Sequence, residues 1–264
     1  MSEFNVCPIC QSSFTLPRKR LQAKVYLFDI EGTTTPITFV KDTLFPYAKE
    51  NVKSFLENTW DSNQTKNDVN ALIEQSIVDQ GLDIGAPFIQ TDLPSEQLIE
   101  SIVVYVQWNI LQDRKISSLK DLQGHIWTSG YKNGDLLSKV YDDVPTFFST
   151  AVLAGSRVAI YSSGSRHAQN LLFRYSDKGD LRPFISCYFD TAIGGKRESK
   201  SYSEIALSLG VDDESDILFV TDIFEEAEAA TKAGLRTAIA IRPGNAPLPA
   251  SHNMKLVHSF DELV

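Results

Sequence analysis

Three short apolar runs in this chain end on groups that can do chemistry. "VYLFD" closes on Asp29, "RVAIYSS" on Ser162 and Ser163, and "ILFVTD" on Thr221 and Asp222. A lysine, Lys196, follows a fourth run, "ISCYFD", inside "GGKRESKSY". Two carboxylates carried on separate strands are hard oxygen donors that can hold a cation such as Mg²⁺. Serine hydroxyls and a lysine ammonium are donors for a phosphate. A carboxylate that faces a metal-bound phosphoryl group can attack phosphorus and become an aspartyl phosphate. A buried strand needs no acidic, hydroxyl-rich ending, yet "VYLFDIEGTTTPI" carries Asp29, Glu31, a glycine and three threonines. The strand reads as a rigid mount for a nucleophile, and the Gly-Thr turn as a source of backbone N–H groups for phosphate.

These groups meet only if the strands that carry them are parallel, because ligands of open parallel sheets bind beyond the strands' carboxyl ends. From Asp142 onward, helical and apolar segments alternate: "VPTFFSTAVLAG", "RVAIYSSGS", "AQNLLFRYS", "ISCYFD", "SKSYSEIALSLG", "ILFVTD", "EEAEAATKAG", "RTAIAIRPG" and a short "KLVHSF". Continuous apolar runs separated by helices imply a parallel sheet covered on both faces. The first strand, Val25–Asp29, belongs with them. Between Ile37 and Asn133 the apolar residues instead recur at three- and four-residue spacing, the signature of helices. Pro46 is expected to kink the first of these. "LPSEQLIESI" suggests a helix capped by Ser95, and "LQGHIWTSGYKNG" a helix ending near Gly130 or Gly134. The fold class expected is therefore α/β, a Rossmann-like parallel-sheet core from residues 24–36 and 141–264, with a helical domain inserted at residues 37–140. Residues 1–23 are expected to be a disordered tail.

The chain has 264 residues, 42% hydrophobic and 22% charged, with a net charge of −9. An acidic surface repels nucleic acid and anionic lipid, so neither is an expected partner. No apolar run approaches the ~18 residues of a membrane span, and the N-terminus lacks the basic-then-apolar pattern of a secretory signal. Cys7, Cys10 and Cys187 make no disulfide framework, so a reducing cytoplasm is the expected setting; a further presence in the nucleus and a monomeric state are expected beside it, on grounds other than the cysteines. "CPIC" at Cys7–Cys10 is half of a zinc site without further ligands and is read as part of the tail.

Each candidate also has an ordinary structural reading. Ser162, Ser163 and Asp222 can cap helices, and Lys196 has the surface neighbours Arg197 and Lys200. Their occurrence in one order on successive strand ends favours a site. Glu225 or Glu226 in "DIFEEAE" can serve the metal site through water or favour the start of the next helix, and the helix start is the preferred reading. His125 and Trp127 can line the substrate pocket or pack in the core, with packing preferred, and Cys187 is read as a buried structural thiol.

"DIEGT" resembles the first motif of the haloacid dehalogenase superfamily, "YSSGS" its second, Lys196 its third and "FVTD" its fourth. More narrowly, "DIEGTTTPI", "LQGHIWTSGY", "IYSSGS", "GGKRESKSY" and "RPGNAPL", in that order, are similar to the enolase-phosphatase (acireductone synthase) family of methionine salvage. The resemblance runs from about Lys24 to the C-terminus. It implies that the helical insertion is a cap and that one Mg²⁺ is bound by Asp29, Asp222 and the backbone carbonyl of Glu31. It implies Asp29 as nucleophile, Glu31 as proton carrier, and Ser162, Ser163 and Lys196 as ligands of the substrate phosphate. The implied reaction is enolisation and dephosphorylation of a diketo-methylthiopentyl phosphate to an acireductone. Two alternatives stand beside it: a phosphatase of this superfamily acting on another small phosphorylated metabolite, and a non-catalytic binding protein using "CPIC" and the basic segment after it.

Overall fold

The computed structural model describes residues 23–263, so the readings of Cys7, Cys10 and the tail lie outside the described residues. Six strands form one sheet: β1 (Val25–Phe28), β2 (Arg157–Tyr161), β3 (Ile185–Phe189), β4 (Ile217–Thr221), β5 (Arg236–Ala240) and β6 (Lys255–Val257). Every pairing is parallel, in the order β3-β2-β1-β4-β5-β6. The chain builds outward from β1 on one side, then returns to its other side at β4. That reversal of direction splays the connections apart and opens a crevice at the carboxyl end of β1.

Alternation along the strands explains why the apolar runs are continuous. Tyr26 and Phe28 of β1 and Leu218 and Val220 of β4 enter one core, while Val25, Leu27, Ile217 and Phe219 enter the other. Successive side chains point to opposite faces, and both faces are covered. Helices α6 (Asp143–Leu153) and α7 (Arg166–Arg174) bring Phe147, Phe148 and Phe173 to the first face. Helices α8 (Ser199–Leu209) and α9 (Phe224–Lys232) bring Tyr202, Ile205 and Ala230 to the second. Each large side chain fully buried this way contributes roughly 1.5–3 kcal/mol.

Between β1 and β2 the regular structure is helical: α1 (Ile37–Phe39), a π turn at Val40–Leu44, α2 (Phe45–Thr59), α3 (Asn63–Gly81), α4 (Ser95–Leu111) and α5 (Ser117–Asn133). Helical dihedrals run on from Phe39 through Leu44 into α2, so Pro46 lies inside a continuous helical stretch where it has no N–H to donate, and the irregularity expected of it is the π turn just before it. Ser95 is the first helical residue of α4 rather than its cap; Pro94 precedes it and no side-chain cap bond forms. Ser62 caps α3, accepting from the Thr65 N–H at 3.1 Å. Gly134, at φ +83°, ends α5 in the left-handed conformation. Gly130 is a close approach: a Cβ there would stand 2.6 Å from the Tyr47 ring. The apolar residues of α2–α5, such as Val52, Leu72, Val106 and Leu122, join the same core cluster as the first sheet face. No helix among the described residues is long and apolar enough to cross a membrane.

A buried polar cluster fastens α3 to the end of α4. Asp79, whose side chain is fully buried, accepts from Tyr105 Oη at 2.6 Å, from Gln75 Nε2 at 2.9 Å and from both terminal nitrogens of Arg114. Arg114, then Tyr105 and Gln75, hold the Asp79 carboxyl down at about 2, against burial. A carboxyl depressed in the folded state contributes stability above its unfolded value, and that contribution is lost as pH falls toward the folded value. Asp79→Asn is therefore expected to cost about 2–4 kcal/mol at pH 7 by leaving Arg114 poorly paired. Urea melts of the two proteins should converge between the ordinary carboxylate range, 3.8, and about 2. A gap that is constant with pH would show that the charge of Asp79 is not what stabilises this cluster.

Candidate active site

The site is built on the register of the central strands. Phe28 pairs with Ile160 on one side and Val220 on the other, so Asp29, Tyr161 and Thr221 end their strands level. The Asp29 N–H extends the ladder by one bond, to Val220 O at 2.9 Å. One residue on, the chain folds into a tight turn in which Ile30 O accepts from the N–H groups of Thr33, Thr34 and Thr35. Gly32, at φ +69°, is the pivot of this turn. A Cβ on it would stand 2.4 Å from Asp222 Oδ2 and 2.7 Å from Asn245 Oδ1, so only glycine lets the turn lie against the Asp222 carboxylate.

Lys196 lies at the centre of the charges. Its Nζ is 2.7 Å from Asp29 Oδ1 and 2.7 Å from Glu226 Oε2, and its side chain is 9% exposed. It is not a surface lysine. Asp29 Oδ1 also accepts from the Ile30 N–H at 2.7 Å, whereas Oδ2 has no protein donor among the described residues. Glu226 Oε2 further accepts from Thr221 Oγ1 at 2.8 Å. The Tyr202 hydroxyl donates to Lys196 O at 2.6 Å, which fixes the backbone that presents the lysine.

Charge balance in this cluster is uneven. Burial, then the Asp29 carboxylate, pushes Asp222 up to about 7 and Glu31 up to about 7. Burial and Asp29 raise Glu226 as well. Burial by itself would lower Lys196, but Asp29 and Glu226 more than offset it and hold the ammonium charged. Four acids around one lysine leave negative charge that a divalent cation would balance. Among the described residues no three His, Cys, Asp or Glu side chains are grouped as metal ligands. The expected set asks for less: two carboxylates, Asp29 and Asp222, and a backbone carbonyl. Oxygen-only donors with excess negative charge fit a hard cation.

Ser162 and Ser163 follow β2 directly. The Ser162 N–H donates to Phe189 O at 3.2 Å, and its hydroxyl accepts weakly from the Gly164 N–H at 3.4 Å. The cap of α7 is Ser165, which accepts from the Ala168 N–H, so neither Ser162 nor Ser163 serves that purpose. Likewise Ile223, not Asp222, precedes α9. Gln169 holds the serine loop from below, donating to Gly164 O and Phe189 O at 2.8 Å each. A cavity of about 770 Å³ lies between this loop and the helices after β1, lined by Glu31, Ser162 and Ser163 among others. Asp29, Lys196 and Asp222 are not in its lining; of the expected site residues Glu31 is the one that the cavity and the charged cluster share, and Ser162 and Ser163 line the cavity alone.

Of the two readings open for Glu226, the preferred one, an acid at a helix start, gives way to the other, a place at the site, though through Lys196 rather than through water. Glu225 is exposed, as expected of an acid at a helix start, but Glu226 is buried against Lys196. The signal was present as a second acid shortly after Asp222, and the generic preference for acids in a first turn masked it. Sequence reasoning left "RPGNAPL" without a physical role. Arg242 Nε donates to Thr33 O at 3.1 Å and Asn245 Nδ2 to Gly32 O at 2.9 Å, so this segment clamps the turn after β1. Trp127 does both things open to it: it packs in the core, its Nε1 donating to Leu44 O at 2.8 Å, and it lines the cavity. His125 pairs with Asp68 at 2.7 Å. Cys187 is half-buried and free.

Known proteins resemble this chain at three levels. The model of the family described as "Hydrolase: haloacid dehalogenase-like hydrolase" matches residues 23–234. A protein of Populus trichocarpa, named "Probable bifunctional methylthioribulose-1-phosphate dehydratase/enolase-phosphatase E1", is 53% identical over 239 residues, covering 90% of this chain and 46% of that protein. The chain thus spans about half the length of the curated relatives it matches. Among solved structures, the UTR4 protein of Saccharomyces cerevisiae superposes with a TM-score of 0.70 at 32% identity, covering 91% of this chain and 99% of that one. YfnB of Bacillus subtilis, solved bound to magnesium, shares the fold at a TM-score of 0.54 and 13% identity, covering 92% and 97%.

The two neighbouring glutamates separate cleanly by experiment. Glu226→Ala leaves Lys196 with one carboxylate and is expected to lower phosphate release from a phosphate ester by roughly 10–100-fold, as for other groups that orient a charged ligand. Glu225→Ala is expected to leave it unchanged, with equal melting temperatures checking that both variants fold. Equal rates for the two variants would remove Glu226 from the site.

Proposed function

The chain belongs to the haloacid dehalogenase-like hydrolase family, and on that premise we propose that it is a Mg²⁺-dependent enolase-phosphatase. Its proposed substrate is the diketo-methylthiopentyl phosphate of methionine salvage and its products are an acireductone and phosphate. The observation that carries the proposal is the buried Lys196, paired at once to Asp29 and Glu226 beside Asp222, at the end of the central strand of a parallel sheet. The substrate identity is supported by relatives whose names include enolase-phosphatase, such as the Populus protein.

In this reading residues 37–140 act as a cap over the core, and the reaction has two parts. Enolisation moves a proton from the carbon that bears the phosphate ester, and the electron pair passes to the adjacent carbonyl oxygen. Glu31 is the proposed proton carrier: it is the acid that both the cavity and the charged cluster share. The phosphoryl group is then transferred to Asp29. Its Oδ2 is the oxygen free to attack, since Oδ1 is held by Lys196 and the Ile30 N–H. The P–O bond to the enol breaks, and the enolate leaves readily because its charge is shared with the neighbouring ketone. Water attacks phosphorus of the aspartyl phosphate and restores Asp29, with Glu31 taking the proton of that water. Ser162 and Ser163 hold the phosphate oxygens, and Lys196 balances the charge of phosphate and Asp29. Bound by Asp29, Asp222 and the Glu31 carbonyl, Mg²⁺ would polarise the phosphoryl group as a Lewis acid.

Asp29→Asn is expected to fold normally and to keep less than about 1% of wild-type phosphate release, since an amide cannot form the acyl phosphate. Chelation of divalent cations should stop the wild-type reaction, and added Mg²⁺ should restore it. Turnover of a few per cent or more in Asp29→Asn would remove Asp29 as nucleophile. A panel setting the diketo phosphate against sugar phosphates reads substrate identity: preference for a sugar phosphate would leave the phosphatase chemistry standing and overturn the substrate.

A further inference from the structure

Buried side-chain amides are normally satisfied, because an unpaired amide forfeits the hydrogen bonds it made with water. Among the described residues three glutamine or asparagine side chains are buried: Asn109, Gln123 and Gln169. Asn109 donates to Tyr105 O and accepts from Arg114. Gln169 donates to Gly164 O of the serine loop and to Phe189 O of β3, while its Oε1 has no partner among the described residues. Gln123, only 3% exposed, makes no side-chain hydrogen bond among the described residues. It lines the cavity that Glu31, Ser162 and Ser163 also line. Leu119 and Trp127, four residues before and after it on α5, line the same cavity, so Gln123 lies in the middle of a helical stripe that faces the space.

The surroundings narrow what this amide can meet. The cationic groups of the lining nearest in sequence are engaged: Lys120 donates to Ser163 O at 3.1 Å, Lys115 pairs with Asp113 at 2.6 Å, and Arg114 is committed to Asp79. The phosphate ligands are on the opposite wall, in the serine loop after β2. What remains at Gln123 is a neutral donor–acceptor group in a largely apolar stripe, which suits a neutral oxygen on the non-phosphate part of a ligand.

We propose that Gln123 determines specificity by donating its amide N–H groups to the dicarbonyl oxygens of the substrate; this rests on the substrate reading given above. The amide also serves the enolisation. As the proton leaves carbon for Glu31, the electron pair gathers on the carbonyl oxygen, and a fixed donor aimed at that oxygen binds it more tightly than the starting ketone. The amide makes no bond within the free protein and its polar atoms remain open to the cavity, so it is free to meet a ligand there; a ligand that fills the space without carbonyls shuts it off from water unpaired.

Gln123→Leu and Gln123→Met keep the volume of the side chain and remove its polar atoms. Because the amide makes no bond within the protein, neither variant loses one, and both should melt close to wild type. Two reactions are compared: enolisation of the diketo phosphate, followed by deuterium uptake at the carbon that bears the phosphate, and phosphate release from p-nitrophenyl phosphate, which has no carbonyl. In both variants the loss of kcat/KM on the diketo phosphate should exceed the loss on the aryl phosphate by roughly 10-fold or more. Equal losses on the two substrates, or no loss on the diketo phosphate, overturn the assignment of Gln123 and leave the substrate standing. A wild-type protein that cleaves the aryl phosphate but does not turn over the diketo phosphate overturns the substrate, and the role of Gln123 with it.

Discussion

A lysine ammonium buried at the carboxyl edge of a parallel sheet is the constraint around which this structure is arranged. Taking Lys196 out of water is costly, and it is tolerated because two carboxylates reach it at 2.7 Å from two different elements. One of these, Asp29, comes from the central strand; the other, Glu226, comes from the first turn of α9. Neither is adjacent to Lys196 in sequence. The ion pairs therefore tie three parts of the core together at the crevice where β1 and β4 part. Hydrophobic burial of both sheet faces supplies the rigidity that holds these groups in register, while the charges decide what the rigid edge can bind.

The same edge needs a backbone that does not yield. Four residues separate Asp29 from Thr34, yet the turn between them is held by its own bonds to Ile30 O, by Thr34 Oγ1 to Asp29 O at 3.2 Å, and from outside by Arg242 and Asn245. Arg242 is itself fixed, its guanidinium pairing with Asp143 at 2.8 Å and stacking over Tyr141 and Phe260. The loop after β5 thus acts as a brace for the turn after β1, across β4. This explains why a segment remote from the carboxylates contains an arginine, a glycine and an asparagine in close succession. It also explains why Gly32 has no room for a side chain: the turn is pressed between the brace and Asp222.

Much of this was legible in the sequence, for identifiable reasons. The central strands were visible because both faces of the sheet are buried there, so each is a continuous apolar run such as "ILFVT"; the more exposed β3 and β6 were placed by the alternation with helices. Asp29, Asp222, Ser162 and Ser163 were visible because each stands directly after such a run. What was not legible depended on three-dimensional contact rather than on strand ends. Ser95 was misplaced by one step because a cap depends on which residue first takes helical dihedrals. Glu226 was left open because an acid at a helix start looks the same in sequence whether it faces water or a buried lysine. Gln123 was hidden because an amide in an amphipathic helix has no sequence signature; only its burial without a partner distinguishes it.

The cavity then divides its work between two walls of different construction. The core wall is made of strand ends and short turns, backbone that a rigid sheet positions, and it carries the charged and hydroxyl groups suited to phosphate. The opposing wall is the stripe of α5 that contains Leu119, Gln123 and Trp127, mostly apolar and carried on a helix. The two walls touch through few polar bonds: Lys120 reaches Ser163 O, and Thr128 Oγ1 meets His167 Nε2 at 2.8 Å. Bonds so few, with Lys120 exposed, cost little to break, unlike the ion pairs within the core. On the proposed reading, the groups for phosphate stand on strand ends that the sheet holds in register, while the organic remainder of the ligand meets a helix face joined to those strand ends by few polar bonds.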